Sequence, residues 1–113
     1  GGGVVTPIPP DVAAAIVAAG YEVSANAAPR GRDAPALWVV RVGDFGHQGA
    51  RGKGRSESPR LALTEAMERL VALLRGRLRR GRNANVRRLN EHRVATAVAL
   101  AAQVAAMWPE VTP

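Results

Sequence analysis

ALWVVRVGDFGHQGARGKGRSESPRLALTEAMERLVALLRGRL, residues 36–78, contains the change of period on which the fold turns. Over residues 36–45 the apolar side chains alternate. Trp38, Val40 and Val42 share one face, and Leu37, Val39 and Arg41 share the other. Only the first face is uniformly apolar, so the segment reads as a strand buried on one side. From Ser58 the period lengthens. Ser58 suits a helix cap and Pro59 the first helical position. Leu63, Met67, Leu70, Leu74 and Leu78 follow at spacings of 4, 3, 4 and 4, one buried stripe on a helix of about 20 residues. Glu65 and Arg69 are placed for an exposed i, i+4 pair. Gly76 lies inside this helix, where glycine costs about 1 kcal/mol against alanine. Residues 43–56, between the two periods, hold five glycines and almost no apolar side chain. They read as a long flexible loop, or as a glycine-rich hairpin whose second strand is short and exposed.

Upstream, residues 1–9 read as an irregular lead-in interrupted by Pro7 and Pro9. Pro10 and Asp11 open a short helix with Val12, Ile16 and Ala19 on one face, and Gly20 stops it. Tyr21, Val23 and Ala25 alternate with Glu22 and Ser24 as a first strand, and residues 26–35 read as a loop. Downstream, Gly81, Asn83 and Asn85 mark a turn over 81–85. A last helix follows over 86–108 and is ended by Pro109. Its residues 94–108 carry no charge, and Ala97, Ala101 and Ala105 recur at i+4. Val94, Val98, Ala101, Ala105 and Trp108 form one stripe with Leu100, Val104 and Met107 on other sides, so one stripe cannot bury all the apolar surface and a second copy is expected to cover the remainder. The expected architecture is α+β: one domain over 1–113, in the order α-β-β-(β)-α-α. A small antiparallel sheet of two or three strands is packed by helices within a core spanning 10–80. The long alanine-rich C-terminal helix pairs antiparallel with the helix before it.

Composition narrows the chemistry. The 113 residues suffice for one domain. Of the apolar residues 22 are Ala and 14 Val, against 9 Leu, 2 Ile and four aromatics, so the core is thin or completed by a partner. With no cysteine, disulfides, thiolate zinc sites and thiol catalysis are excluded. The uncharged stretch 94–108 rises only about 22 Å, short of a bilayer core, and no charged start leads into an apolar signal-peptide core. No membrane partner is expected, and the compartment expected is the cytoplasm.

Charge is the informative feature. The formal net charge is +7, and fifteen of the sixteen basic residues are Arg. An Ala-, Arg-, Gly- and Pro-rich composition follows from GC-rich codons, as in a bacterial or phage genome, without selection for binding. Codon bias does not predict where the charge falls. Residues 1–74 carry eight basic and seven acidic residues, whereas 75–93 carry eight Arg and only Glu91. The stretch RGRLRRGRNANVRRLNEHR therefore holds an excess equal to that of the whole chain. A helix bearing Arg75, Arg79 and Arg82 on one side, with Arg77 and Arg80 beside them, would form a phosphate-spaced stripe. Arg87, Arg88 and Arg93 continue it. Arg51, Lys53 and Arg55 of the glycine segment are expected to form a second arm of the same surface, mobile when free. Arginine near a helix C-terminus also stabilises the helix dipole, the structural alternative for part of this charge.

Gly52-Lys53-Gly54-Arg55-Ser56 ahead of a helix resembles the junction of third strand and last helix in double-stranded RNA-binding domains. The resemblance covers about 20 residues. It breaks at Glu57 and Ser58, where that family places two phosphate-holding lysines, so its binding residues are not carried over. A Walker loop is excluded, because His47 and Gly54 stand where it needs Gly and Ser or Thr. His47 and His92 show no triad partners in sequence, and Asp44 with His47 is a metal pair lacking a third ligand. No cofactor, no metal site and no enzymatic activity are expected. The expected function is non-specific binding of RNA or DNA through phosphate contacts, with Phe45 the one aromatic placed to stack on a base. The alternative is a non-enzymatic interaction subunit, an inhibitor or adaptor. It would associate through helix 86–108, as in a homodimer; an acidic protein surface is the alternative partner for the arginine stretch.

Overall fold

The computed structural model describes residues 7–109, so positions 1–6 of the expected lead-in lie outside the described residues. Helix α1 spans Pro10–Ala18, with Pro10 in its first turn and the Asp11 carboxylate accepting the Val12 N–H at 3.0 Å. Val12 and Ile16 are buried, and the chain leaves the helix through Gly20 at φ +91°, a conformation glycine adopts without strain. Strands β1 (Glu22–Ala28), β2 (Leu37–Gly43) and β3 (Arg51–Ser56) form one antiparallel sheet in the order β1-β2-β3. Helix α2 (Pro59–Arg80) and helix α3 (Ala84–Met107) complete an α+β fold ordered α-β-β-β-α-α.

The register explains which residues face inward. Val23 opposes Val42, Ala25 opposes Val40, and across β2–β3 Val42 opposes Gly52 and Val40 opposes Gly54. Opposed residues in an antiparallel pair lie on one face, and this face belongs to the core together with Trp38. Helix α2 lies over β3 and β2, α1 against β1, and α3 against α2 and α1. All three helices thus contribute to one buried cluster on the inward face of the sheet.

Two expectations about the sheet need correction. Strand β1 runs three residues further than predicted, because Asn26, Ala27 and Ala28 pair with Val39, Trp38 and Leu37. The glycine segment takes the second of its two expected forms, a hairpin rather than a long loop, but its second strand is not short. Residues 44–50 are the turn, closed by Asp44 N–H to the Ala50 carbonyl at 2.8 Å, and residues 51–56 are a full strand. Nor is that strand exposed on both sides. Gly52 and Gly54 are buried, and a Cβ at either position would collide with the α2 backbone carbonyl of Ala66 or Ala62. Glycine lets the helix backbone rest directly on the strand.

The α2 stripe is buried at Leu63, Met67, Leu70 and Leu74 with Ala62, Ala66 and Val71, while Leu78 is half-buried. Ser58 caps α2 through its Oγ, which accepts the Leu61 N–H at 3.3 Å. The facing of α3 differs from the sequence expectation. Ala97, Leu100 and Val104 form its buried seam with Met107 packed beside it, whereas Val98 is 41% exposed and Ala105 is exposed. From Val94 onward the helix is apolar nearly all round, and the larger Leu100 and Val104 take the seam because they bury more area than alanine. α2 and α3 run antiparallel, their distant ends joined by Arg60 Nε donating to the Trp108 carbonyl at 2.9 Å.

The close approach at β3 predicts opposite outcomes for the same substitution at two glycines. Gly54→Ala should lower unfolding stability by about 2–3 kcal/mol, since the clash is with backbone. Gly76→Ala meets only the tip of Arg80 at 3.8 Å and should raise stability by up to about 1 kcal/mol. Urea unfolding of the two variants checks the pair.

Candidate nucleic-acid interface

Leu74 is the last fully packed position of α2, and beyond it the α2–α3 hairpin projects as an arm. Residues 82–89 are all exposed, and the molecule measures 52 × 31 × 27 Å. The α2 helix stops at Arg80, where the Gly81 N–H bonds the Leu78 carbonyl at 3.2 Å. Asn83 then caps α3, its Oδ1 accepting the Asn85 N–H at 2.8 Å. The connection is therefore residues 81–83, shorter than the predicted 81–85. Arg82 falls in it rather than on a continuous helical stripe with Arg75 and Arg79.

Of the eight arm arginines, Arg75, Arg79, Arg80, Arg82, Arg87, Arg88 and Arg93 are exposed and Arg77 is half-buried. Among the described residues the ion pairs are Arg30–Glu57 and Arg69–Glu65, and neither involves the arm. Arg77, Arg79 and Arg80 sit in the last turn of α2, where their charge complements the dipole. That account fails for Arg87 and Arg88, which lie at the positive end of α3, whose first turn holds no acidic residue. The arm does not present one stripe. Arg75 lines the groove between α2 and α3, Arg77 and Arg93 line a cleft at the base of the arm against Tyr21 and the β2–β3 turn, and the other five lie towards its tip.

Arg51, Lys53 and Arg55 belong to another surface. They alternate with the glycines of β3 and therefore occupy the face of the sheet turned away from the helices. The expectation that they extend the arm surface is corrected by this alternation. β2 adds Arg41 directly opposite Lys53, a residue the sequence places on the non-core face without a neighbour. The Lys53 ammonium is held below the ordinary lysine range, first by Arg55, then by partial desolvation and by Arg41 and Arg69. Arg69 reaches the β3 edge, donating to the Lys53 carbonyl at 2.9 Å.

The fold also gathers what is scattered in sequence. His47 and His92 line one polar cleft of about 430 Å³ with Asp44, Tyr21, Arg77 and Arg93. The Arg77 guanidinium donates to the Gln48 carbonyl at 3.1 Å, and the Tyr21 hydroxyl donates to the Arg93 carbonyl at 3.5 Å. Burial pushes the Tyr21 hydroxyl above its ordinary range, with Arg93 opposing the shift. Among the described residues no three carboxylates or imidazoles gather as metal ligands. Glu57 and Ser58, which stand where double-stranded RNA-binding domains carry lysines, have structural partners here. Glu57 pairs with Arg30 and Ser58 caps α2. Compared with family models, curated proteins and solved structures, the chain matches none of them.

The acidified amine carries a stability consequence. Its value in the folded protein lies below that of the unfolded chain, so folding is opposed while Lys53 is charged and favoured as alkaline pH discharges it. Lys53→Gln should therefore raise the thermal midpoint at low ionic strength, with the gain fading as salt screens the cluster. Equal midpoints at low salt would show that the repulsion is already balanced.

Proposed function

We propose that the protein binds RNA or DNA through phosphate-backbone contacts made by the α2–α3 arm, without reading base sequence. The observation that carries this reading is the arm itself: eight arginines on the α2–α3 hairpin, seven of them exposed and none in an ion pair among the described residues. An unneutralised cation cluster destabilises a free protein through self-repulsion, and a polyanion relieves it. Guanidinium groups suit this role because they meet phosphate oxygens bidentately. Contacts of this kind position a protein on nucleic acid but carry no base information. Affinity should fall with salt by roughly 0.9 logarithmic units per contact on duplex DNA. Replacing Arg79, Arg80, Arg87 and Arg88 with Gln should flatten that slope by about two units or more while leaving the fold intact. An unchanged slope in a folded variant would sink the proposal.

A second reading, association through α3, is favoured by the solvent side of that helix. Ala95, Ala99, Ala102 and Ala106 are exposed, and no charge occurs from Val94 to Trp108. Beside them Met67, Val71, Val98, Ala101, Ala105 and Trp108 line an apolar groove of about 380 Å³. A second copy of the chain is the occupant this reading names, and a dimer would double the arginine surface. Sedimentation should then show a concentration-dependent dimer that Ala102→Glu converts to a folded monomer. A monomer at every concentration up to about 100 μM, well above the range of specific interfaces, would exclude it.

A further inference from the structure

The helices cover one face of the sheet, and the opposite face has a composition of its own. Read across the strands, its rows are Glu22–Gly43–Arg51, Ser24–Arg41–Lys53, Asn26–Val39–Arg55 and, at the end, Ala28–Leu37. Four cations stand on it with one carboxylate, Glu22, which is separated from Arg51 by a glycine. We propose that this open sheet face binds single-stranded nucleic acid, with phosphates along Arg51, Lys53, Arg55 and Arg41 and bases against Leu37 and Val39. The inference deepens the polyanion reading by giving it a second surface and a preferred strandedness.

Spacing supports the phosphate line. Alternate residues of a strand lie about 6.7 Å apart, close to the step between successive phosphates of one nucleic-acid chain. Arg51, Lys53 and Arg55 are three such positions in register. Arg41 faces Lys53 across the ladder, where like charges directly opposite are destabilising. The free protein tolerates that juxtaposition, and none of the four cations is in an ion pair among the described residues. The Lys53 amine is depressed first by Arg55 on its own strand, then by desolvation and by Arg41 and Arg69.

The aliphatic strip decides between strandedness classes. Leu37 and Val39 are half-buried at the centre and end of the face, beside Arg55 and Asn26. A duplex turns its bases inward and offers the strip only sugar and phosphate. An unpaired strand offers both charge to the cations and base faces to the strip. Aromatic residues are absent from these rows, so base contact is aliphatic and sequence-tolerant.

The test compares two folded variants on two probes. One carries Arg41→Gln, Lys53→Gln and Arg55→Gln; the other carries the four arm substitutions. Each is titrated over salt with fluorescent oligothymidylate or oligouridylate and with a short DNA duplex. The sheet variant should lose single-strand affinity on the order of tenfold. Its salt slope on single strands should drop by about 2, at roughly 0.7 per phosphate contact, with duplex binding nearly unchanged. Single-strand isotherms that overlay those of the unmutated protein would overturn the inference while leaving the arm proposal standing. Loss of duplex binding in the arm variant is the separate readout for that proposal. Displacement of the oligonucleotide by polyglutamate at equal charge would also overturn it, because an acidic peptide would then serve as well. Should the triple variant unfold, Arg41→Gln alone should lower the single-strand slope by about 0.7, and no change would count against the inference.

Discussion

The fold depends on one contact of backbone against backbone, that of α2 on β3. At Gly52 and Gly54 the strand has no side chains, and the Ala62–Ala66 stretch of α2 settles into the space. This contact accounts for a composition that looks too poor to form a core. Alanine and glycine bury little area each, but they let elements approach until dispersion and area removed from water are both recovered from the backbone. The larger side chains then complete the core around that contact. Leu63, Met67, Leu70 and Leu74 reach from α2 to Val40, Val42, Ile16 and the α3 seam. A thin core does not require a partner to complete it when its layers are this close.

The same contact sets where charge can go. With α2 held against β3, the helix overruns the end of the sheet, and its last turns pair with α3 while Arg77 reaches back to the Gln48 carbonyl of the β2–β3 turn. Residues on that overhang are free to be cationic, and they are. No helix packs on the other side of the sheet among the described residues, so the outward positions of β2 and β3 are also free to be cationic. The two basic surfaces are thus both leftovers of one packing decision, placed on different sides of the molecule by the alternation of a strand and the length of a helix.

Sequence reasoning succeeds where an element carries its own apolar period and fails where it does not. The Trp38–Val40–Val42 alternation and the Leu63–Leu74 spacing identify β2 and α2 with their correct faces. β3 has no apolar residue in its six positions, so periodicity has nothing to register and the segment resembles a loop. Its inward positions act through what they lack. α3 errs in the opposite direction: nearly every residue from 94 to 108 is apolar, many stripes can be drawn, and the one that is buried depends on α2. The arm charge is visible by counting, since it is contiguous in sequence. The sheet-face cluster is not, because Arg41 meets Lys53 only through pairing of β2 with β3. Likewise the histidines share a cleft only once the hairpin end and α3 are brought together.

RGKGRS, the six residues of β3, obeys two constraints on alternate positions, and their combination fixes something neither fixes alone. In a strand with apolar inward residues, a slip of one position is penalised by exposing hydrophobic surface. β3 has no such surface to expose. A slip would instead drive Arg51, Lys53 and Arg55 beneath α2, against the carbonyls of Ala62 and Ala66, with no room and no counter-charge. Glycine–cation alternation is therefore a register lock that works by exclusion. It holds an otherwise featureless strand to a single alignment during folding, whether or not any ligand is present.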